Sequence, residues 1–335
     1  MSRPGNAPAL SIVIPAPSDS AALEATLVSV LENRPADCEI VVSLGFEYAD
    51  PWNIADEVRL VPAPPGSGIA ACANVGIAAS AASAVHVLAA GWLATPGWTN
   101  RPLELLAAGG VSAVVPLVIT TSADGSIDAA GLRVTRGGRR LEIVPSPRAV
   151  RSGRFDASRV RAAGPLLEAG FWAADVLATA GPGFATSCGD WLADADMATA
   201  LACLPGRVVV AAESRVIRGA PRRRPRAFTA GLQAERLFWR GLARGSLSAA
   251  VVGHAIEVVR DAVATAPLGT LPMLAGRIAA LMQFGDYVPR LVRLRALRRS
   301  AAVDETALLR IDAAHADLAR PRLAAADARP LRRSA

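Results

Sequence analysis

Three carboxylates crowd one short stretch, Asp190-Trp191-Leu192-Ala193-Asp194-Ala195-Asp196. Carboxylates at this spacing near a helix start suit two uses. One of them can act as a general base and take the proton from a hydroxyl nucleophile. Equally, they can complement the helix dipole and cap its first amides. A second string, Gly66-Ser67-Gly68-Ile69-Ala70-Ala71, has G-x-G-x-x-A spacing. Such a turn lets a pyrophosphate approach a helix N-terminus. Here a Pro/Ala-rich stretch separates it from its strand, and residues 84–98 contain no Asp or Glu to hold a ribose. A dinucleotide oxidoreductase therefore does not follow, and the string reads as the plain start of a helix. The third stretch runs from Val85 through Trp92 to Pro96-Gly97-Trp98. It is an apolar run of strand length that gives way to small residues and a Pro-Gly turn. Parallel α/β sheets bind ligands beyond such strand ends, yet this loop carries no carboxylate.

The elements that must position these groups alternate. Leu10–Pro15 reads as a buried strand, followed by the capping cluster Ser18-Asp19-Ser20 and a helix to about Glu32 with Leu23, Leu27, Val30 and Leu31 on one face. Strands are predicted at Glu39–Ser43, Val58–Val61, Val85–Leu88 and Val111–Ile119, and helices at Ile69–Ala82 and Leu103–Ala107. Strands alternating with helices predict a parallel, three-layer α/β sheet. From Thr120 to Ser146, glycines between apolar pairs suggest hairpins, and 147–161 reads as a polar, Arg-rich loop. Leu166–Ala178 and Ala193–Leu204 read as helices, and Val208–Val210 as a late strand. Arg222-Arg223-Arg224-Pro225-Arg226 marks a boundary, beyond which 227–265 and 271–298 read as helices.

The ordered series of motifs resembles a family 2 glycosyltransferase of the GT-A fold over roughly residues 9–220. Leu10–Ala16 is similar to the opening strand, and Glu39-Ile40-Val41-Val42 to the second. Gly68 with Ala73-Asn74-Val75-Gly76 resembles G-x-x-x-A-R-N-x-G. Val87–Trp98 resembles the strand, metal loop and P-G-W turn. Gly183-Phe184 followed by Asp194-Ala195-Asp196 resembles the G-F-D…E-D-x-D-L region.

The resemblance implies an α/β fold: a GT-A-like three-layer α/β/α arrangement with a mostly parallel central sheet over 1–220 and a helical extension over 221–315; the Arg/Ala/Pro-rich composition of 316–335 predicts a disordered tail. It implies transfer of a sugar from a nucleotide-sugar donor to a saccharide or lipid-linked acceptor. Asp194 keeps the position of the general base. The donor side would comprise Pro15, Ala16, Ser43, Gly45, Asn74, Ala89 and Gly91, and the acceptor side Trp98, Asp190, Trp191 and Asp196.

The chain departs from the family pattern at several of these positions. Ser43 stands where the nucleobase-binding Asp is expected, and Ala89-Ala90-Gly91 where D-x-D is expected. Ala73 replaces an Arg, Ala193 a Glu, and Arg218 a His after the late strand. No protein metal ligand is expected, so Mg²⁺ or Mn²⁺ would be held weakly through the donor diphosphate. Arg218 or the 222–226 cluster could meet the leaving-group charge instead; the other reading of the cluster is a solvated linker. The alternative for the whole chain is a degenerate GT-A protein, a pseudoenzyme acting as a binding or scaffolding module.

Composition bounds the rest. Of 335 residues, 52% are hydrophobic and 19% charged, which describes a globular chain, and aromatics are only 4%, so Ala, Val and Leu must fill the core. The net charge is +7, and every basic residue is Arg. Those arginines are scattered without an aromatic stacking face, which argues against nucleic acid. Cys38, Cys72, Cys188 and Cys203 form no C-x-x-C pair, so reduced thiols and a cytoplasmic location are expected. No signal peptide or spanning segment is evident. His86 reads as a core residue. Trp92 and Trp98 either stack on a sugar or pack the turn. The helices after 227 place Leu237, Leu242, Val251, Val252, Ile256 and Val259 at near-helical spacing. They would pack on the main domain or lie peripherally on the inner face of a membrane.

Overall fold

The structure is a computed structural model that describes residues 7–121, 126–152, 155–181, 183–244 and 246–319. The chain opens with β1 (Leu10–Ala16), whose seven residues are all buried. α1 (Ser20–Asn33) follows, its first turn capped by the Asp19 carboxylate, which accepts from the Ala22 amide at 3.0 Å. Then come β2 (Cys38–Leu44), β3 (Arg59–Pro62), α2 (Ile69–Ala79), β4 (Ala84–Leu88), the two-residue β5 (Leu93–Ala94), α3 (Asn100–Ala107) and β6 (Val111–Ile119). Three short strands lie beyond: β7 (Ile127–Ala129), β8 (Leu132–Val134) and β9 (Arg140–Glu142). α4 (Pro147–Arg151) and a 3₁₀ turn at Ala157–Arg159 fall within the stretch expected as loop. β10 (Ala169–Ala173), α5 (Ala174–Ala180), α6 (Gly189–Leu201) and β11 (Arg207–Ile217) complete the sheet-bearing part. The extension consists of α7 (Ala227–Arg240), α8 (Leu247–Ala264), α9 (Thr270–Leu281) and α10 (Phe284–Ala319). Helix α10 therefore runs through 316–319; the rest of the expected tail lies outside the described residues.

The main sheet has the order β3-β2-β1-β4-β10-β6-β11-β5, with β7 attached to β6. The expected parallel character holds for β3-β2-β1-β4 and for β6-β11. Between these groups β10 runs antiparallel to both neighbours, so the sheet is mixed. The helix predicted over Leu166–Ala178 is corrected: its first half is β10 and only Ala174–Ala180 is helical. A short apolar run of this kind has no period that separates strand from buried helix. Phe171 and Trp172 project to opposite faces and are both fully buried.

Helices cover both faces. α1 and Trp98 pack over one side with Leu10, Ile12, Ile14 and Phe171. On the other side, α2, α5 and α6 pack over Val13, Val85, Val87 and Trp172. The C-terminal ends of β1, β2 and β4 point toward one mouth, where Ala16, Ser43 and Ala89 lie.

Candidate functional site

All three carboxylates of α6 are held by partners within the protein. Asp190 reaches across to the start of α2 and accepts from the Ile69 and Ala70 amides at 3.0 and 2.9 Å. These are the donors that a pyrophosphate would use at a helix N-terminus. Gly68 makes this approach possible, because a methyl group there would collide with the Asp190 carboxylate.

Asp194 is fully buried. Arg140 grips it with two bonds of 2.9 Å each, and Arg222 adds a third at 2.8 Å. The Leu167 and Ala195 amides also donate to it. Burial alone would raise the pKa of this carboxyl, but Arg222 and Arg140 outweigh burial and hold it at about 2. Asp196 is held in turn by Arg240 on α7 at 2.8 Å and Arg290 on α10 at 2.6 Å.

The Asp194 pairs belong to a longer ladder of alternating charge. It runs Asp128–Arg218–Glu142–Arg140–Asp194–Arg222–Glu168. Burial deepens along it, from Asp128 at 35% exposed to Asp194 at 0% and Glu168 at 5%. Glu142 is held below its ordinary pKa because Arg140 and Arg218 outweigh the effect of its burial. Four carboxylates against three guanidiniums leave one formal negative charge. A self-neutralised ladder of this sign offers no net attraction to a diphosphate.

Sequence reading singled out Asp194, Arg218 and the 222–226 cluster but missed Arg140, Glu142 and Glu168. Their one signal was charge placed between apolar residues, as in Leu167-Glu168-Ala169. The cluster divides: Arg222 is buried, while Arg223, Arg224 and Arg226 are exposed as a linker would be.

Of the donor-side positions, Pro15, Ala16, Ser43, Gly45 and Ala89 are buried, and Asn74 and Gly91 are half-buried. The Gly45 amide donates to Ala16, and a methyl on Gly45 would lie 2.9 Å from the Pro17 carbonyl oxygen. Asn74 is occupied with the backbone of Phe184, donating to its carbonyl at 2.8 Å and accepting from its amide at 2.6 Å. In the loop where D-x-D is expected, the Ala89 amide donates to Glu168, the Ala90 amide to Pro15, and the Gly91 amide to Ala22 and Thr26. The chain after β11 crosses directly over this loop. A methyl on Gly219 would lie 2.6 Å from the Gly91 carbonyl oxygen. The Arg218 guanidinium lies 5.4 Å from the centre of the Trp92 ring. No carboxylate is present in the loop, a guanidinium borders it, and no group of three metal-ligating side chains occurs among the described residues. These residues do not fit a divalent ion.

On the acceptor side, Trp98 is fully buried and packs the turn against His86, 6.2 Å between ring centres. Trp191 is partly exposed, with Arg224 5.8 Å from its ring centre. His86 itself stacks on Phe171 at 3.8 Å, and burial depresses its pKa to about 3 against the raising effect of its bond to the Gly170 carbonyl. It is a core residue, as expected. Cavities of about 390, 560 and 620 Å³ lie elsewhere among the described residues, and these are not lined by Ala16, Ser43, Asn74, Ala89 or Gly91.

No protein-family model matches the chain, and no curated protein matches it in sequence. Solved structures do match it in shape. GalNAc-T7 with UDP, GalNAc and Mn²⁺ is 13% identical with a TM-score of 0.52, covering 75% of this chain. The chain spans only 54% of the length of GalNAc-T7. A mannosyltransferase from Pyrobaculum calidifontis, PcManGT, in complex with GDP-Man and Mn²⁺, is 17% identical with a TM-score of 0.50, covering 90% of this chain and 89% of its own. The fold is GT-A. Within that GT-A frame, the sheet-end mouth of this chain is lined by its own ion pairs and backbone contacts.

Proposed function

We propose that this chain is a degenerate GT-A protein, a binding or scaffolding module that does not turn over a sugar donor. One observation carries the reading: Asp194, the residue in the base position, is sealed from solvent and clamped by Arg140 and Arg222. A general base needs an open path to the proton it removes and a pKa near working pH. A carboxylate held at about 2 by two guanidiniums has neither. The covered Ala89-Ala90-Gly91 loop and the buried Ser43 support the same reading.

The second reading is a nucleotide-sugar glycosyltransferase of family 2 type that works without a metal. What favours it is the likeness to donor-binding GT-A structures, together with two arginines, Arg218 and Arg222, beside the mouth. It requires residues 219–226 to withdraw, so that Arg222 exchanges Glu168 and Asp194 for the donor diphosphate. Titration calorimetry with UDP, GDP and their common sugar conjugates, with and without Mn²⁺, separates the two. The first reading expects no binding to the wild-type chain. Binding, with turnover that Asp194→Asn removes while sparing affinity, would establish the second.

A further inference from the structure

Helices α8 and α9 are built inside out. On α8 three of the four ionisable side chains, all but Arg260, turn toward the protein: His254 meets Glu235 at 3.0 Å, Glu257 meets Arg139 at 3.8 Å, and Asp261 pairs with Arg277. The opposite face carries Val251, Val252, Ile256, Val259 and Val263, between 47% and 73% exposed. No α8 residue is buried. The only charged residue of α9 is Arg277, which is buried and paired with Glu235 and Asp261. Its outer face presents Leu271 and Ile278, with Met282 just past its end, from 60% to 86% exposed, and Leu268 in the link between the helices is 90% exposed. A surface helix in water ordinarily arranges these faces the other way round. A run of large apolar side chains this extensive marks an interaction surface.

We infer that this face of α8 and α9 docks on an anionic lipid surface. The charge around it selects that occupant. Arg260 lies exposed at the edge of the α8 face, and Arg293, Arg295, Arg298 and Arg299 are exposed on α10, which follows α9 in the chain; of these, Arg298 also donates to the Ala243 carbonyl. From 265 to 301, Asp286 is the one acidic residue against six arginines. Two of those six, Arg277 and Arg290, are paired inward. A second copy of the chain would bring one cationic border against another, whereas anionic headgroups supply the missing counter-charge. The apolar side chains would enter the headgroup–acyl boundary with α8 and α9 lying in its plane. No helix among the described residues is long and apolar enough to cross a membrane, so the contact is peripheral. The inference does not depend on whether the mouth transfers sugar.

Flotation of the full chain with phosphatidylcholine vesicles, with and without phosphatidylglycerol, tests it. The wild-type chain should float with the phosphatidylglycerol vesicles and only weakly with phosphatidylcholine alone. Val259→Glu and Ile256→Glu, both at exposed positions, should each lower partitioning at least about tenfold while circular dichroism stays unchanged. Replacing Arg295 and Arg299 by Ser should weaken binding only to the anionic vesicles and flatten its salt dependence. The inference falls if the wild-type chain floats with neither vesicle, or if Ile256→Glu and Val259→Glu bind like the wild type. It falls equally if light scattering finds a dimer that Val259→Glu splits while vesicles capture nothing.

Discussion

At Asp194 the difference between a catalytic and a structural carboxylate becomes measurable. Its side chain lies between two guanidiniums that are themselves nearly buried. Asp194→Asn keeps the shape and removes the charge, leaving Arg140 and Arg222 without it. Breaking a buried pair in this way costs about 3–5 kcal/mol. Urea unfolding of the variant should show a loss of that size, whereas an open catalytic base would be replaced at little cost. The pH dependence has a defined sign. The folded pKa of Asp194 lies below its ordinary 3.8, so its ion pairs contribute fully above about pH 4 and are lost as pH falls toward 2. His86 acts over a higher window. Its folded pKa of about 3 lies below the ordinary 6.5, so the unfolded chain takes up the proton first. Stability should fall as pH drops from 6.5 toward 3, and His86→Leu should flatten urea midpoints across that window. The sequence marked Asp194 through its neighbours Asp190 and Asp196. Arg140 was not visible, because it lies 54 residues upstream in a hairpin and nothing local ties the two.

Among the elements, α2 shows how one helix start can be satisfied from a distant part of the chain. It has no capping side chain of its own at Gly68, and Asp190 on α6 supplies the acceptor. Gly68→Ala would push a methyl into that carboxylate and Asp190→Ala would remove it. Each should cost about 0.5–2 kcal/mol, the range of a lost N-cap, and the double variant should cost little more than either. Thermal denaturation of the four proteins measures this; full additivity would show that the two residues act separately. Most of the elements were legible because their apolar periods are clean, as in Val111–Ile119, which is observed as a strand with those same bounds. β10 was not legible. Its apolar run fits strand or helix equally, and only its insertion between β4 and β6 decides for strand.

The extension and the GT-A body are joined in part through a single carboxylate. Asp196 sits in the body, with Arg240 and Arg290 reaching it from α7 and α10. Asp196→Ala should therefore lower the unfolding temperature and split one calorimetric transition into two; a single unshifted transition would show that the joint lies elsewhere. Packing of the extension on the body, one of the two readings made for its helices, describes Leu237, which is buried. Val251, Val252, Ile256 and Val259 instead face outward. By itself the sequence determined the order of strands and helices, the absence of carboxylates from the 89–91 loop and the composition of the core, since each follows from local pattern and residue type. The tertiary structure alone decided where the charges go. Ion pairs form between residues that the fold brings together from 28 and 54 positions apart, as Asp194 does with Arg222 and Arg140. The spacing of charges along a chain does not record which of them will meet in a place without water.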